Sequence, residues 1–87
     1  MSYEIEFSAA AARSFRKLAP DVQRRIAKAV DALADDPRHP GVHRLAGGRD
    51  EYRVRVGDYR VLYEIRDRAL VVIVVYIGHR PEVYRRR

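Results

Sequence analysis

Tyr52-Arg53-Val54-Arg55-Val56-Gly57-Asp58-Tyr59-Arg60-Val61-Leu62-Tyr63-Glu64-Ile65 alternates in a period of two on both sides of Gly57-Asp58. Such alternation sends successive side chains to opposite faces of a strand, and a two-residue Gly-Asp connection joins two strands into a hairpin. With Gly57 and Asp58 as the loop, Val56 faces Tyr59, Arg55 faces Arg60, Val54 faces Val61 and Arg53 faces Leu62. Three arginines therefore share one face. Like charges directly opposite each other oppose folding, by an amount within the roughly 0.2–1 kcal/mol range of cross-strand pairs. A phosphate between Arg55 and Arg60 would instead meet two permanently charged forks suited to bidentate binding. The plainer reading is a solvated strand face with Glu64 as a neutralising neighbour.

Beyond the hairpin, Asp67-Arg68 marks a turn, and Leu70 to Ile77 is apolar at every position, the pattern of a central strand covered on both faces. Its second edge needs a neighbour. Tyr3, Ile5 and Phe7 alternate with Glu4 and Glu6 and supply the remaining strand, its direction open. Ser8 is placed to cap a helix in which Ala11, Phe15 and Leu18 form a stripe opposite Arg13, Arg16 and Lys17. Pro20 suits the first position of a second helix, Asp21 complements its N-terminal dipole, and Val22, Ile26, Ala29, Val30 and Leu33 repeat at helical spacing. From Asp36 to Arg49, Pro37, Pro40, Gly41, Gly47 and Gly48 predict an irregular connection. The expected architecture is α+β in the order β-α-α-β-β-β. A helical hairpin packs on a small, mainly antiparallel four-stranded sheet, as a single domain over residues 1–87.

At 87 residues the core can be only a thin layer between a sheet and helices. Eighteen basic residues against twelve acidic give +6, with nine against seven up to Asp50 and nine against five beyond it. A field of that sign steers and holds phosphates, and so favours RNA, DNA or an acidic protein over a neutral metabolite. The absence of cysteine removes disulfides and thiolate chemistry and suits a reducing compartment. Met1-Ser2-Tyr3-Glu4 has no charged-then-apolar leader pattern, so a cytoplasmic location is expected.

Gly78-His79-Arg80-Pro81-Glu82-Val83-Tyr84 adds groups of other kinds. His79 titrates near neutral pH, Arg80 keeps its charge, and Tyr84 offers a hydroxyl. Surface decoration is the ordinary role of a lone histidine, and Tyr84 equally suits packing of its ring. His39 and His43 lie in the connection with no carboxylate or thiolate cluster beside them, so no zinc site is expected and both read as loop residues. Arg85 to Arg87 read as a solvated tail, and Arg24, Arg25 and Lys28 as a solvated helix face.

Taken in order, the hairpin stretch Tyr52 to Ile65, the lead-in His43-Arg44-Leu45-Ala46-Gly47 and the segment Gly78 to Tyr84 resemble the RelE toxins of the RelE/ParE superfamily. The resemblance covers nearly the whole chain. It implies a toxin of a type II toxin-antitoxin system, an endoribonuclease that cuts mRNA in the ribosomal decoding site and is held inactive by a cognate, acidic, partly disordered antitoxin. It places Arg60, Arg80 and Tyr84 on positions that hold the scissile phosphate and assist cleavage. Arg53 and Arg55 fall where the best-studied members carry lysines, so a general-base role does not transfer to them, because arginine effectively keeps its proton. They remain phosphate-binding candidates.

No cofactor or metal is expected, since RNA can be cut by its own 2′-hydroxyl attacking the adjacent phosphate. That reaction needs alignment, neutralised phosphoryl oxygens and proton transfer. His79 and Tyr84 are the candidates for the last, His79 on the expectation that its place beside Arg80 brings it to the cluster. Two rival readings share the fold or the charge. One is a ParE-like inhibitor of DNA gyrase, and the other a non-catalytic RNA- or ribosome-binding module.

Overall fold

The computed structural model describes residues 2–45 and 50–79. Gly57 adopts a φ of 60° at the first loop position of the hairpin, a conformation glycine reaches without steric cost. Strands β3 (Glu51–Val56) and β4 (Tyr59–Arg66) leave this turn in the expected register, with Arg55 opposite Arg60 and Val54 opposite Val61. β4 continues antiparallel onto β5 (Val71–His79), and β5 is joined on its other edge by β1 (Glu4–Phe7), which runs parallel to it. Helices α1 (Ala9–Arg16) and α2 (Pro20–Asp35) fill the connection out of β1. Ser8 caps α1 by accepting the Ala11 N–H at 3.1 Å, and its hydroxyl donates to the Val75 carbonyl at 3.2 Å, tying the helix start to β5. Pro20 opens α2. Neither helix, nor any other among the described residues, is long and apolar enough to cross a membrane.

Two expectations are corrected. The sheet has five strands, in the order β1-β5-β4-β3-β2, because Val42–Arg44 forms a short strand β2 antiparallel to β3. Three residues between proline and glycine breakers are too few to display a period, so the strand is hidden in the sequence. Among the described residues, helices cover β5 on one face only. Ala11, Ile26, Val30 and Leu33 of the helices pack with Tyr52, Val54, Val61, Tyr63, Ile65, Val72 and Val74, all on one side of the sheet. On the other side Val71, Ile73 and Tyr76 are half-buried by their strand neighbours alone among the described elements. We call these the core face and the outer face.

A β-bulge lies in the β4–β5 ladder, where Tyr63 pairs with Val74 but Leu62 pairs with Tyr76. The extra residue, Val75, inverts the alternation of β5. Val72 and Val74 enter the core before it and Ile77 after it, so Tyr76 and Gly78 turn to the outer face and His79 to the core face.

At the end of the sheet away from the Gly57 turn, the side chain of Arg38 ties the long connection down. Its guanidinium makes a two-pronged contact with the Asp67 carboxylate at 2.8 and 3.0 Å and donates from Nε to the Tyr52 hydroxyl at 3.0 Å. Tyr3 donates to the same carboxylate at 2.8 Å. Beneath it the buried Tyr63 hydroxyl donates to the Pro37 carbonyl at 2.7 Å. The Arg38 contact, helped by Tyr3, holds the Asp67 carboxyl down at about 2. A depressed carboxyl pKa adds stability above the unfolded value and loses it as pH falls through the folded one. Asp67→Asn is therefore expected to lower Tm at pH 7. The difference from wild type should shrink as pH falls from about 4 towards about 2, and thermal melts across that range check it.

Candidate nucleic-acid interface on the outer sheet face

Directly opposed residues of neighbouring strands share a face, so the register sets the outer face out in rows. One row is Arg55, Arg60 and Gly78, the next is His43, Arg53, Leu62 and Tyr76, and the third is Glu51, Glu64, Ile73 and Glu6. Positive charge thus gathers at the Gly57 end and negative charge two rows away.

Glu64 does not neutralise the arginines. It accepts a hydrogen bond from Arg66 at 2.7 Å, and Arg38 and Arg44 take the other ion pairs. Arg53, half-exposed, and Arg55, exposed, form no ion pair among the described residues. This favours the binding reading of these two side chains over a balanced solvated face.

Arg60 is in the expected register but not in the expected environment: only 1% of it is exposed. It lies opposite Gly78, and a Cβ at Gly78 would meet the Tyr76 ring at 2.5 Å and its hydroxyl at 2.6 Å. The Tyr76 ring thus folds down over Gly78, beside Arg60, in space that only glycine leaves open. Burial fixes the guanidinium in place, and a charge acts more strongly in such surroundings than in water. Arg60 is therefore a seated charge on the strand beside Arg55 rather than a second mobile fork.

His79 goes elsewhere. The bulge turns it to the core face opposite Tyr59, with ring centroids 5.3 Å apart and edge to face. There it borders a separate cleft of about 250 Å³ between α1 and the sheet end, lined by Ser14, Lys17, Leu18, Tyr59 and Ile77. Its sequence position beside Arg80 does not bring it to the arginine rows. Arg80 and Tyr84 lie outside the described residues, as do Arg85 to Arg87.

The sequence reading missed Tyr76 and His43 on the outer face. Tyr76 is hidden in an unbroken apolar run whose bulge has no residue signature, and His43 in a strand too short to be seen. His39, by contrast, is a turn residue whose Nδ1 accepts the Gly41 N–H at 3.0 Å.

Comparison with known proteins agrees with this fold and arrangement. The family described as ParE toxin of type II toxin-antitoxin system, parDE, matches residues 5–84. The mRNA interferase toxin RelE of Escherichia coli strain K12 is 31% identical over 88 residues, covering 97% of this chain and 92% of that protein. Toxin RelG of Mycobacterium tuberculosis is 32% identical over 90 residues, 99% of this chain and all of that one. The chain belongs to the RelE/ParE toxin superfamily and is of its RelE type. Among solved structures, RelE in the intact E. coli RelBE toxin-antitoxin complex superposes with a TM-score of 0.81 at 28% identity, covering 90% of this chain and 96% of that one.

The packing of Tyr76 over Gly78 can be tested in this RelE-type fold. Alanine normally favours a strand over glycine by about 0.5–1 kcal/mol. Gly78→Ala is expected instead to destabilise the protein, and in a Tyr76→Ala background the same change is expected to become neutral or stabilising. A double-mutant cycle by denaturant unfolding measures that coupling.

Proposed function

We propose that this chain is the toxin of a type II toxin-antitoxin system, a ribosome-dependent endoribonuclease that cuts mRNA in the decoding site. The observation that carries this reading is the pair Arg53 and Arg55, standing on a helix-free sheet face with no acidic partner among the described residues. Similarity to proteins named mRNA interferase supports it.

In the proposed reaction the 2′-oxygen of the substrate forms a bond to the adjacent phosphorus, the bond from phosphorus to the 5′-oxygen breaks, and the products are a cyclic phosphate and a 5′-hydroxyl. Arg55 grips the scissile phosphate and Arg60 on the strand beside it supplies fixed charge, so that negative charge growing on the phosphoryl oxygens is met without reorganisation. Arg53 holds a neighbouring phosphate. Arg80 and Tyr84 are proposed as further contacts to the scissile phosphate. His79, turned to the other face, has no part in this scheme. The partner is an acidic antitoxin that covers the basic face, a proposal supported by the charge of that face and by relatives solved as RelB–RelE complexes.

Mapping 5′ ends on mRNA from stalled ribosomes tests the reading. New 5′-hydroxyl ends in the decoding site are expected with wild type. Arg55→Ala, at an exposed position, is expected to keep its fold, to slow cutting by about 10²–10³-fold, and to reduce the salt slope of single-stranded RNA binding by about 0.7. The family match described as ParE toxin favours one other reading, inhibition of DNA gyrase. Arrested replication with intact mRNA would establish that reading and remove the first.

A further inference from the structure

Cutting RNA through its own 2′-hydroxyl requires a group that removes a proton, and guanidinium cannot serve because it stays protonated at ordinary pH. The outer face nevertheless carries a side chain of the right kind. His43 lies on β2 directly opposite Arg53, so its imidazole stands on the arginine side of the sheet. Its row is the one next to Arg55 and Arg60. One strand across and two residues along is a Cα separation of about 8 Å, which an imidazole and an arginine leaning together can bridge through a phosphodiester.

His43 is exposed, and among the described residues it makes no hydrogen bond, ion pair or ring contact, so folding does not account for an imidazole there. The charged groups that face it from β3 are Arg53 opposite, with Arg55 and Glu51 at the diagonals. Among the described residues the other proton carriers near the site are occupied or misplaced. His39 is spent on Gly41, His79 is on the core face, Glu64 is paired with Arg66, and Glu51 sits on the far side of the histidine row from Arg55.

We propose that His43 is the general base of the RNA-cutting site. The neutral imidazole accepts the proton of the 2′-hydroxyl as that oxygen bonds to the phosphorus held by Arg55. The electron pair of the breaking bond leaves on the 5′-oxygen, which takes a proton from water. The imidazolium then returns its proton to solvent. This inference rests on the ribonuclease reading, and it assigns that site a residue type able to exchange protons near neutral pH.

The test measures single-turnover cutting of ribosome-bound mRNA from pH 5 to 9 by wild type, His43→Ala, His43→Gln and His43→Arg, each first shown to melt like wild type and to bind ribosomes equally. Wild type is expected to show a rate that rises through the histidine range. The Ala and Gln variants are expected to be about 10²–10⁴-fold slower at neutral pH and to lose that rise, and added imidazole is expected to restore part of the rate of His43→Ala. Unchanged rates and pH profiles in the variants would overturn the assignment while leaving the ribonuclease reading intact. Full activity in His43→Arg would overturn it too, because arginine keeps its proton and only positive charge would then be needed. Absence of cutting by wild type would overturn both.

Discussion

The register that sets Arg55 against Arg60 is the constraint on which the rest of the molecule depends. Because side chains alternate strictly along a strand, one choice of pairing sends Tyr52, Val54, Val61 and Tyr63 to the helices and the arginines to the other side. A slip of one residue would put arginines into the core and valines into water. Gly57 fixes the choice through its turn geometry, so a single small residue separates a hydrophobic face from a basic one. The cost of two opposed arginines is small beside what burying that core contributes, which lets the sheet carry a charge arrangement that folding alone would not select.

The second determinant is the bulge at Val75. It lets β5 contribute Val72, Val74 and Ile77 to the core while turning Tyr76 and Gly78 outward beside Arg60. Were the same sequence paired regularly, with Val75 opposite Leu62, His79 would fall on the outer face and Ile77 would be lost from the core. Packing and site composition are thus decided by the same irregularity. The acidic row of Glu51, Glu64 and Glu6, two rows from Arg55 and Arg60, gives the face a charge polarity along the strands.

Much of this was legible in the residues. The hairpin register, both helices, the cap at Ser8 and the start at Pro20, and the edge position of β1 follow from local periodicity and turn chemistry. The parallel direction of β1 does not, because a strand of alternating residues pairs equally well either way until its long-range neighbours are placed. β2 was too short to read, and with it His43 passed for a loop residue. The burial of Arg60 could not be foreseen, since alternation places it on the same face as the exposed Arg55. His79 was expected at the arginine cluster, but the bulge at Val75, which has no residue signature, turns it to the core face opposite Tyr59.

The parallel pairing of β1 with β5 also governs when the protein comes into being. Glu4 finds Val71 as its partner, and Phe7 finds Val74, so the first strand made must wait for nearly the last described one. Such distant pairing closes late, because the entropy of a long loop must be overcome before the contacts form. As the chain emerges from the ribosome, the apolar stripes of α1 and α2 stay without a sheet to cover them. The seat of Arg60 beside Tyr76 and Gly78 does not exist until β5 is synthesised. Synthesis order thus delays completion of the fold: the sheet gains its β1 edge only when β5 arrives between β4 and β1.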